Sequence, residues 1–350
     1  MLNKEVMYSY EDISIKPSVL SYVSHRSDVN VLDKNGFLPL FTAPMTKVVG
    51  ESSYDTFVNN KIYAIMPRNV DYNKRLSYLE EGKWVAFSLN EFEDLFTKEK
   101  KEYKNKIKVL IDIANGHIKR LYDAVSISKK IYGNDIVIMV GNIANPLTYN
   151  IVADSGADYV RVGIGGGSVC ATSTRTAIHM PYATLLDEMR KVKEEYIKNH
   201  NIYYDDAPKI IADGNIKSFA DVIKALCLGA DYVMCGNIFS KMLESEGEWK
   251  CGYKGMSVEE AVSKNLFTFL RKKFYGMASK EGQKDLGKEK FTIEEGYETS
   301  VCCEYTMGQW ANKMCGLLSS AMTYIGAFSL DELYKKSECV INNTIRYNKE

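Results

Sequence analysis

Short apolar runs alternate with longer amphipathic stretches along most of the chain. The runs are Pro39–Ala43, Tyr63–Met66, Trp84–Ser88, Lys108–Ile113, Ile136–Val140, Asp158–Gly163, Lys209–Asp213 and Asp231–Cys235. Most are rich in β-branched or aromatic residues and bounded by Gly, Asn or Asp, the pattern of a strand buried on both faces. Between them, Asp71–Glu81, His117–Tyr132, Pro146–Ser155, Tyr182–Lys198 and Ser218–Leu228 have the spacing of helices, as does Gln309–Ala327 near the end. Strands alternating with helices imply a parallel sheet with right-handed crossovers. Eight strands are the number that closes a (β/α)8 TIM barrel, an α/β fold. A doubly wound open sheet shares the same alternation. The polar stretch 244–304 follows the last strand and is too long for an ordinary connection, so it is expected to be a flap or insertion.

Composition adds limits. The chain has 350 residues, 45% of them apolar and 26% charged, which suits a globular protein. Lys and Arg total 45, and so do Asp and Glu, leaving no excess positive charge to hold a phosphate backbone. Nucleic-acid binding is therefore disfavoured. No run approaches the length of a membrane span, and the first residues lack a signal-peptide core. Eight cysteines without dense spacing read as reduced thiols, so a cytoplasmic location is expected. Cys302 and Cys303 are adjacent and no C-x-x-C pair occurs, which disfavours structural zinc.

The densest chemical signal is Val162-Gly-Ile-Gly-Gly-Gly-Ser-Val-Cys-Ala-Thr172, after the sixth run. Consecutive glycines let backbone groups turn inward to cradle an anion or coordinate a cation. Cys170 could act as a nucleophile where barrels place their chemistry. The plainer alternative is a tight turn with a buried cysteine. Ala212-Asp213-Gly214-Asn215 and Met234-Cys235-Gly236-Asn237 follow the seventh and eighth runs, where barrels commonly grip phosphate, although both also read as ordinary turns. Asp213 would be free to accept from ribose hydroxyls. His117 reads as a helix-start residue, and His25, His179 and His200 as surface or satisfied residues. Lys98–Lys106 reads as a solvated helix face, and Cys302, Cys303, Cys315 and Cys339 as packing residues. The 24 tyrosines show no usable period.

The Gly163–Thr172 motif, Ile211-Ala-Asp-Gly214 and Phe274-Tyr-Gly-Met-Ala-Ser279 together resemble the IMP dehydrogenase/GMP reductase family. Further matches are Tyr10-Glu-Asp-Ile13, Ala43-Pro-Met45, Gly141-Asn142, Glu295-Gly296 and Thr323-Tyr-Ile-Gly-Ala327. The resemblance runs from about residue 8 to about residue 330 in the family's order. It implies a barrel whose cysteine thiolate attacks C2 of a purine mononucleotide. Cys170 matches the nucleophile, Thr172 a hydroxyl that assists proton transfer, and Glu295 an acid at the purine edge. Ser168, Asp213, Gly214, Asn215, Gly236, Asn237, Gly276, Met277, Ala278 and Gly296 match the nucleotide grip. Arg68, Asp112, Ile113, Ala114, Asn142 and Gly163 match the wall for a nicotinamide cofactor. Gly165, Gly167 and Cys170 match carbonyls that bind potassium in many members. Relatives imply a homotetramer.

Within the family, the reductase branch is indicated. The stretch between Ser279 and Glu295 contains neither Arg nor Tyr, the dyad of the dehydrogenase's hydrolytic flap. Asp112-Ile-Ala-Asn-Gly116 resembles the reductase form, and Phe87–Lys108 leaves no room for an inserted accessory domain. The implied reaction is NADPH-dependent reduction of GMP to IMP and ammonia by a single barrel domain spanning 1–350. Alternatives are an IMP dehydrogenase without its accessory domain, a reductase of a modified, deaza- or deoxypurine nucleotide, and a catalytically silent nucleotide-binding regulator. The sequence departs from the family at Gly166 (usually Pro), Asn215 (Gly), Asn237 (Gly or Ser), Thr46 (often Asp), Pro67 (often His), Ser173 (often basic) and Thr292 (basic in reductases). The 250–273 segment is longer than either branch implies.

Overall fold

The structure is a computed structural model that describes residues 5–288 and 293–342. Thr292, and with it the 289–292 part of the expected flap, lies outside the described residues. Among the described residues the strands are β1 (Ile13–Lys16), β2 (Leu40–Thr42), β3 (Ile65–Met66), β4 (Trp84–Phe87), β5 (Ile107–Asp112), β6 (Ile136–Ile143), β7 (Tyr159–Val162), β8 (Lys209–Asp213), β9 (Tyr232–Cys235), β10 (Lys250–Cys251), β11 (Leu270–Tyr275), β12 (Glu298–Cys302) and β13 (Glu338–Ile341). Strands β2 to β9 form one parallel eight-stranded sheet in the order β2-β9-β8-β7-β6-β5-β4-β3. Its two ends meet at a Phe41–Tyr63 bridge, where Thr42 N donates to Tyr63 O at 2.9 Å and Tyr63 N to Leu40 O at 3.0 Å. The sheet is thus a nearly closed barrel, and the open-sheet alternative is excluded.

Side chains alternate across each strand. Trp84, Ala86, Leu110, Met139 and Ile211 point into the barrel, while Val85, Phe87, Val109, Ile111, Ile138, Val140 and Ile210 pack outward under the helices. The runs look continuously apolar because both faces are covered. Aromatic rings plug the barrel floor: Phe41 lies 4.8 Å from Tyr63, 5.8 Å from Trp84, 6.0 Å from Tyr159 and 5.3 Å from Tyr232, centroid to centroid. Asp33 accepts from the hydroxyls of Tyr63 (2.6 Å) and Tyr232 (3.0 Å). Several tyrosines without sequence period thus share one place in space.

Local chemistry sets the helix starts. Asp71 accepts from Asn73 N and Lys74 N to begin Tyr72–Glu80, and Ser218 accepts from Asp221 N to begin Phe219–Cys227. Ser88 and Glu91 form a capping box on Leu89–Phe96, a helix the apolar pattern did not reveal. That helix ends at Phe96, and Lys98–Lys106 is an exposed loop rather than the expected helix face. Its only sizeable apolar residue, Tyr103, packs on Phe96 and Tyr132, so the run has no apolar stripe to bury.

The 244–304 segment is structured where described. β10, β11 and β12 form an antiparallel sheet, with a small core of Ala261, Leu270 and Cys303 beneath a short helix at Val258–Ser263. β11 leads directly into Gly276–Ala278, and β12 follows Glu295–Tyr297. The 250–273 segment holds β10, the Val258–Ser263 helix, a turn of 3-10 helix and the first residues of β11, whose hairpin with β12 reaches the barrel mouth. Beside the Phe219–Cys227 helix, β1 pairs antiparallel with β13. No helix among the described residues is long and apolar enough to cross a membrane.

Candidate active site

A cavity of about 460 Å³ opens at the C-terminal mouth of the barrel, within the range of small-molecule sites. Every residue matched from the sequence to the nucleophile relay, the nucleotide grip, the cofactor wall or the potassium carbonyls lines it except Gly296. Gly296 instead pairs with Cys170 in an antiparallel bridge, through Ala171 N donating to Glu295 O and Tyr297 N to Val169 O, each at 2.8 Å. That bridge joins the loop after β7 to the segment before β12, and so brings together residues 126 positions apart in sequence.

The bridge has a chemical consequence. Cys170 Sγ donates to Thr172 Oγ1 at 3.3 Å, and Thr172 Oγ1 donates to Glu295 Oε2 at 2.9 Å. Thiol, hydroxyl and carboxylate form one relay, along which a proton can pass from sulfur to carboxylate and back. Cys170 is partly exposed at the cavity wall. Cysteines buried in the core are held as thiols. Burial raises Cys227 to about 12 and Cys303 to about 11, and raises Cys235 further.

On the opposite wall, inward positions of three strands converge. Asp112 ends β5, Asp213 ends β8, and Arg161 of β7 lies between them, 7% exposed. Arg161 Nη1 donates to Asp112 Oδ1 at 2.8 Å, while Nη2 and Nε donate to Asp213 Oδ2 at 2.8 and 3.1 Å. Burial opposes the charge on Arg161, but the two carboxylates outweigh it and the guanidinium is held above its ordinary pKa. Asn142 Nδ2 also donates to Asp213 Oδ2 (2.6 Å) and to Gly163 O (2.8 Å). Arg68 Nη1 donates to the Asp112 carbonyl at 3.3 Å and faces its carboxylate at 3.7 Å. Gly141 is required here, since a Cβ on it would lie 2.6 Å from both Cβ and O of Arg161.

Several lining residues escaped the sequence reading. Arg161 carried a local signal, a lone charge inside an apolar run. Tyr182, whose hydroxyl donates to Asp213 O at 3.1 Å, and Lys217 carried none. His117, read from the sequence as a helix-start residue, lies just ahead of the Lys119–Tyr132 helix and its N-cap Ile118; its Nε2 accepts from Ala144 N at 3.0 Å, so the proton sits on Nδ1, which faces Thr148 Oγ1 at 3.1 Å. Burial lowers its pKa. His179 is exposed, but its Nδ1 lies 3.0 Å from Ile164 O within the glycine loop.

The comparisons with known proteins point one way. A family model described as the IMP dehydrogenase / GMP reductase domain matches residues 8–346. The chain is 32% identical over 242 residues to the inosine-5'-monophosphate dehydrogenase of Aquifex aeolicus (strain VF5), a match covering 66% of this chain and 44% of that one. It is 33% identical over 239 residues to the enzyme of that name from Chlorobaculum parvum, and 29% over 232 residues to that of Streptococcus pyogenes, with the same coverage. The chain thus spans less than half the length of these relatives.

Proposed function

The chain belongs to the IMP dehydrogenase/GMP reductase family, and from that premise we propose that it reduces GMP to IMP and ammonia with NADPH, through a thioimidate between Cys170 and purine C2. The observation that carries this reading is the hydrogen-bond relay from Cys170 through Thr172 to Glu295. Run outward, the relay moves the thiol proton to Glu295 and leaves a thiolate to attack C2. Run back, it protonates the exocyclic amine, which departs as ammonia. A nicotinamide cofactor, when bound, supplies the hydride that C2 then accepts, and cleavage of the Cys170–C2 bond releases IMP. Overall, GMP, NADPH and two protons give IMP, NADP⁺ and ammonium.

The remaining residues orient these partners. Asp213, fixed by Arg161 and Asn142, accepts from ribose hydroxyls, while Ser168, Gly214, Asn215, Gly236, Asn237 and Lys217 surround the phosphate. Gly276, Met277 and Ala278, with Gly296 behind them, close over the base. Small and apolar side chains at Ile113 and Ala114, beside the Arg68 guanidinium and the Asp112 carboxylate, fit a flat carboxamide ring. Because Arg161 grips Asp112 and Asp213 at once, one guanidinium sets both the substrate side and the cofactor side. The catalytic unit is a single barrel, with 244–304 as its flap.

Supporting the reductase branch, the stretch between Ser279 and Glu295 has no Arg or Tyr to activate a hydrolytic water. The second reading, oxidation of IMP with NAD, is favoured by the similarity to inosine-5'-monophosphate dehydrogenases. NADPH absorbance with a panel of purine nucleotides, including deoxy and deazapurine forms, and with ammonia measured in parallel, separates the two. GMP-dependent NADPH oxidation with stoichiometric ammonia is expected. XMP formation from IMP and NAD without GMP-dependent NADPH oxidation would overturn the proposal, and no turnover with any nucleotide would indicate a binding protein.

A further inference from the structure

The glycine loop that presents Cys170 is hydrogen-bonded throughout by its own chain. Gly163 O accepts from Asn142 Nδ2 at 2.8 Å, and Ile164 O from His179 Nδ1 at 3.0 Å. A carbonyl can only accept, so that imidazole nitrogen carries its proton. Gly165 O accepts from Ser173 Oγ at 2.9 Å, Gly166 O from Asn215 N at 2.8 Å, and Gly167 O from Cys170 N at 2.9 Å. Five consecutive carbonyls therefore each face a proton donated from within the chain.

Beneath them lies Tyr182, 1% exposed. A Cβ built on Gly163, Gly166 or Gly214 would lie less than 3.0 Å from its ring or hydroxyl. Gly166 replaces the family's usual proline because the Tyr182 ring fills the space a proline ring would need. The same hydroxyl ties the underside of the loop to Asp213 O. The loop is wedged from below and bonded from the sides.

A dehydrated monovalent cation needs several carbonyl oxygens converging on it in place of its water shell. Of the three carbonyls for which the family resemblance implies potassium, those of Gly165 and Gly167 each already accept one hydrogen bond, so a cation there would have to share the oxygen through its second lone pair, against the positive end of the donor. The residues present do not fit a resident potassium ion. We infer that Ser173, His179, Asn215 and Tyr182 are positioning residues that hold the Cys170 loop from within the chain, in place of a bound cation, so that the loop's order is independent of potassium. This bracing does not depend on which purine nucleotide the site accepts.

The test reads the loop rather than turnover. Alkylation of Cys170 by iodoacetamide, followed by mass spectrometry of its peptide, is compared in potassium chloride and choline chloride at equal ionic strength. Parent rates within about twofold of each other are expected, since the thiolate's surroundings are unchanged. Ser173→Ala removes the donor on Gly165 O. It is expected to speed alkylation in choline by about fivefold, roughly the worth of one neutral hydrogen bond, and to be slowed again by potassium. A parent rate that saturates with potassium but not with choline would overturn the inference, as would a Ser173→Ala rate unchanged in both salts. Should that variant fail to fold, thallium(I) binding to the parent, read by ²⁰⁵Tl NMR, decides: no bound signal is expected, and saturable binding displaced by potassium would overturn it.

Discussion

Arg161 holds Asp213 through two nitrogens on one carboxylate oxygen, Nη2 at 2.8 Å and Nε at 3.1 Å, while its third nitrogen holds Asp112. The three residues come from β7, β8 and β5 and lie at the top of the barrel interior, where burial makes an unpaired charge costly. Arg161→Met leaves Asp213 with no cation among the described residues, only the Asn142 amide, and Asp112 with Arg68 at 3.7 Å. It is expected to lower the unfolding free energy by about 3–5 kcal/mol in urea denaturation. Adding Asp112→Asn should recover part of that loss, because it removes one of the two carboxylates. A loss below about 1 kcal/mol, the range of an exposed pair, would show that water screens the cluster.

Chemistry and binding rest on different groups at this mouth. Cys170→Ser should abolish turnover yet leave nucleotide affinity within about tenfold, roughly 1.4 kcal/mol, measured by calorimetry. The serine hydroxyl is far too weakly acidic to replace a thiolate without a dedicated base. Thr172→Ala breaks the link to Glu295 and should let the covalent adduct accumulate, visible in the intact mass of the protein. Near-parental NADPH oxidation by Cys170→Ser would end the thioimidate proposal.

Tyr10 is fully buried against Tyr182, and its hydroxyl has no hydrogen-bond partner among the described residues. Its loss should therefore be harmless. Tyr10→Phe is expected to leave stability within about 1 kcal/mol of the parent or to raise it, since it removes an unsatisfied polar atom. A fall in melting temperature equivalent to about 2 kcal/mol or more would mean that the hydroxyl is in fact satisfied.

Lys272 of β11 is 3% exposed, with Nζ donating to Ser245 Oγ (2.6 Å), Ser245 O (3.2 Å) and Glu246 O (2.6 Å) and lying 4.6 Å from the Trp249 ring centroid. Burial pushes its pKa down to about 7; Cys303 and Glu246 raise it, and Lys47 lowers it further. The unfolded chain therefore binds one more proton than the folded chain between about pH 7 and the ordinary lysine value. Stability from this group rises with pH through that window, by about 1.4 kcal/mol per unit, and is flat below it. The difference in unfolding free energy between the parent and Lys272→Met should shift in the parent's favour from pH 7.5 to pH 9.5. A difference that stays constant would place the Lys272 pKa outside the window.

Much of the fold was legible in the chain. The eight apolar runs each contain or overlap a barrel strand, because a strand covered on both faces is apolar at most positions, a local requirement. Helix starts at Asp71 and Ser218 were legible for the same reason, since a cap acts within three residues. The Leu89–Phe96 helix was missed because Trp84–Ser88 runs into it without a break, and Lys98–Lys106 was misread because charge spacing alone does not supply a face to bury.

What the sequence determined by itself was periodicity, punctuation and a set of motifs, all within reach of a few neighbouring residues. Only the tertiary structure decided which of them meet. Closure at Phe41–Tyr63 and the stagger of the strands bring Arg161 between Asp112 and Asp213, and the Cys170–Gly296 bridge carries Glu295 to Thr172. Tyr182 opens a helix in the linear chain and becomes the wedge under the glycine loop only once that helix packs beside β7 and β8. A local pattern fixes which face of a strand or helix is buried. It holds no information on what lies across the barrel, because that depends on register and closure summed over all eight strands.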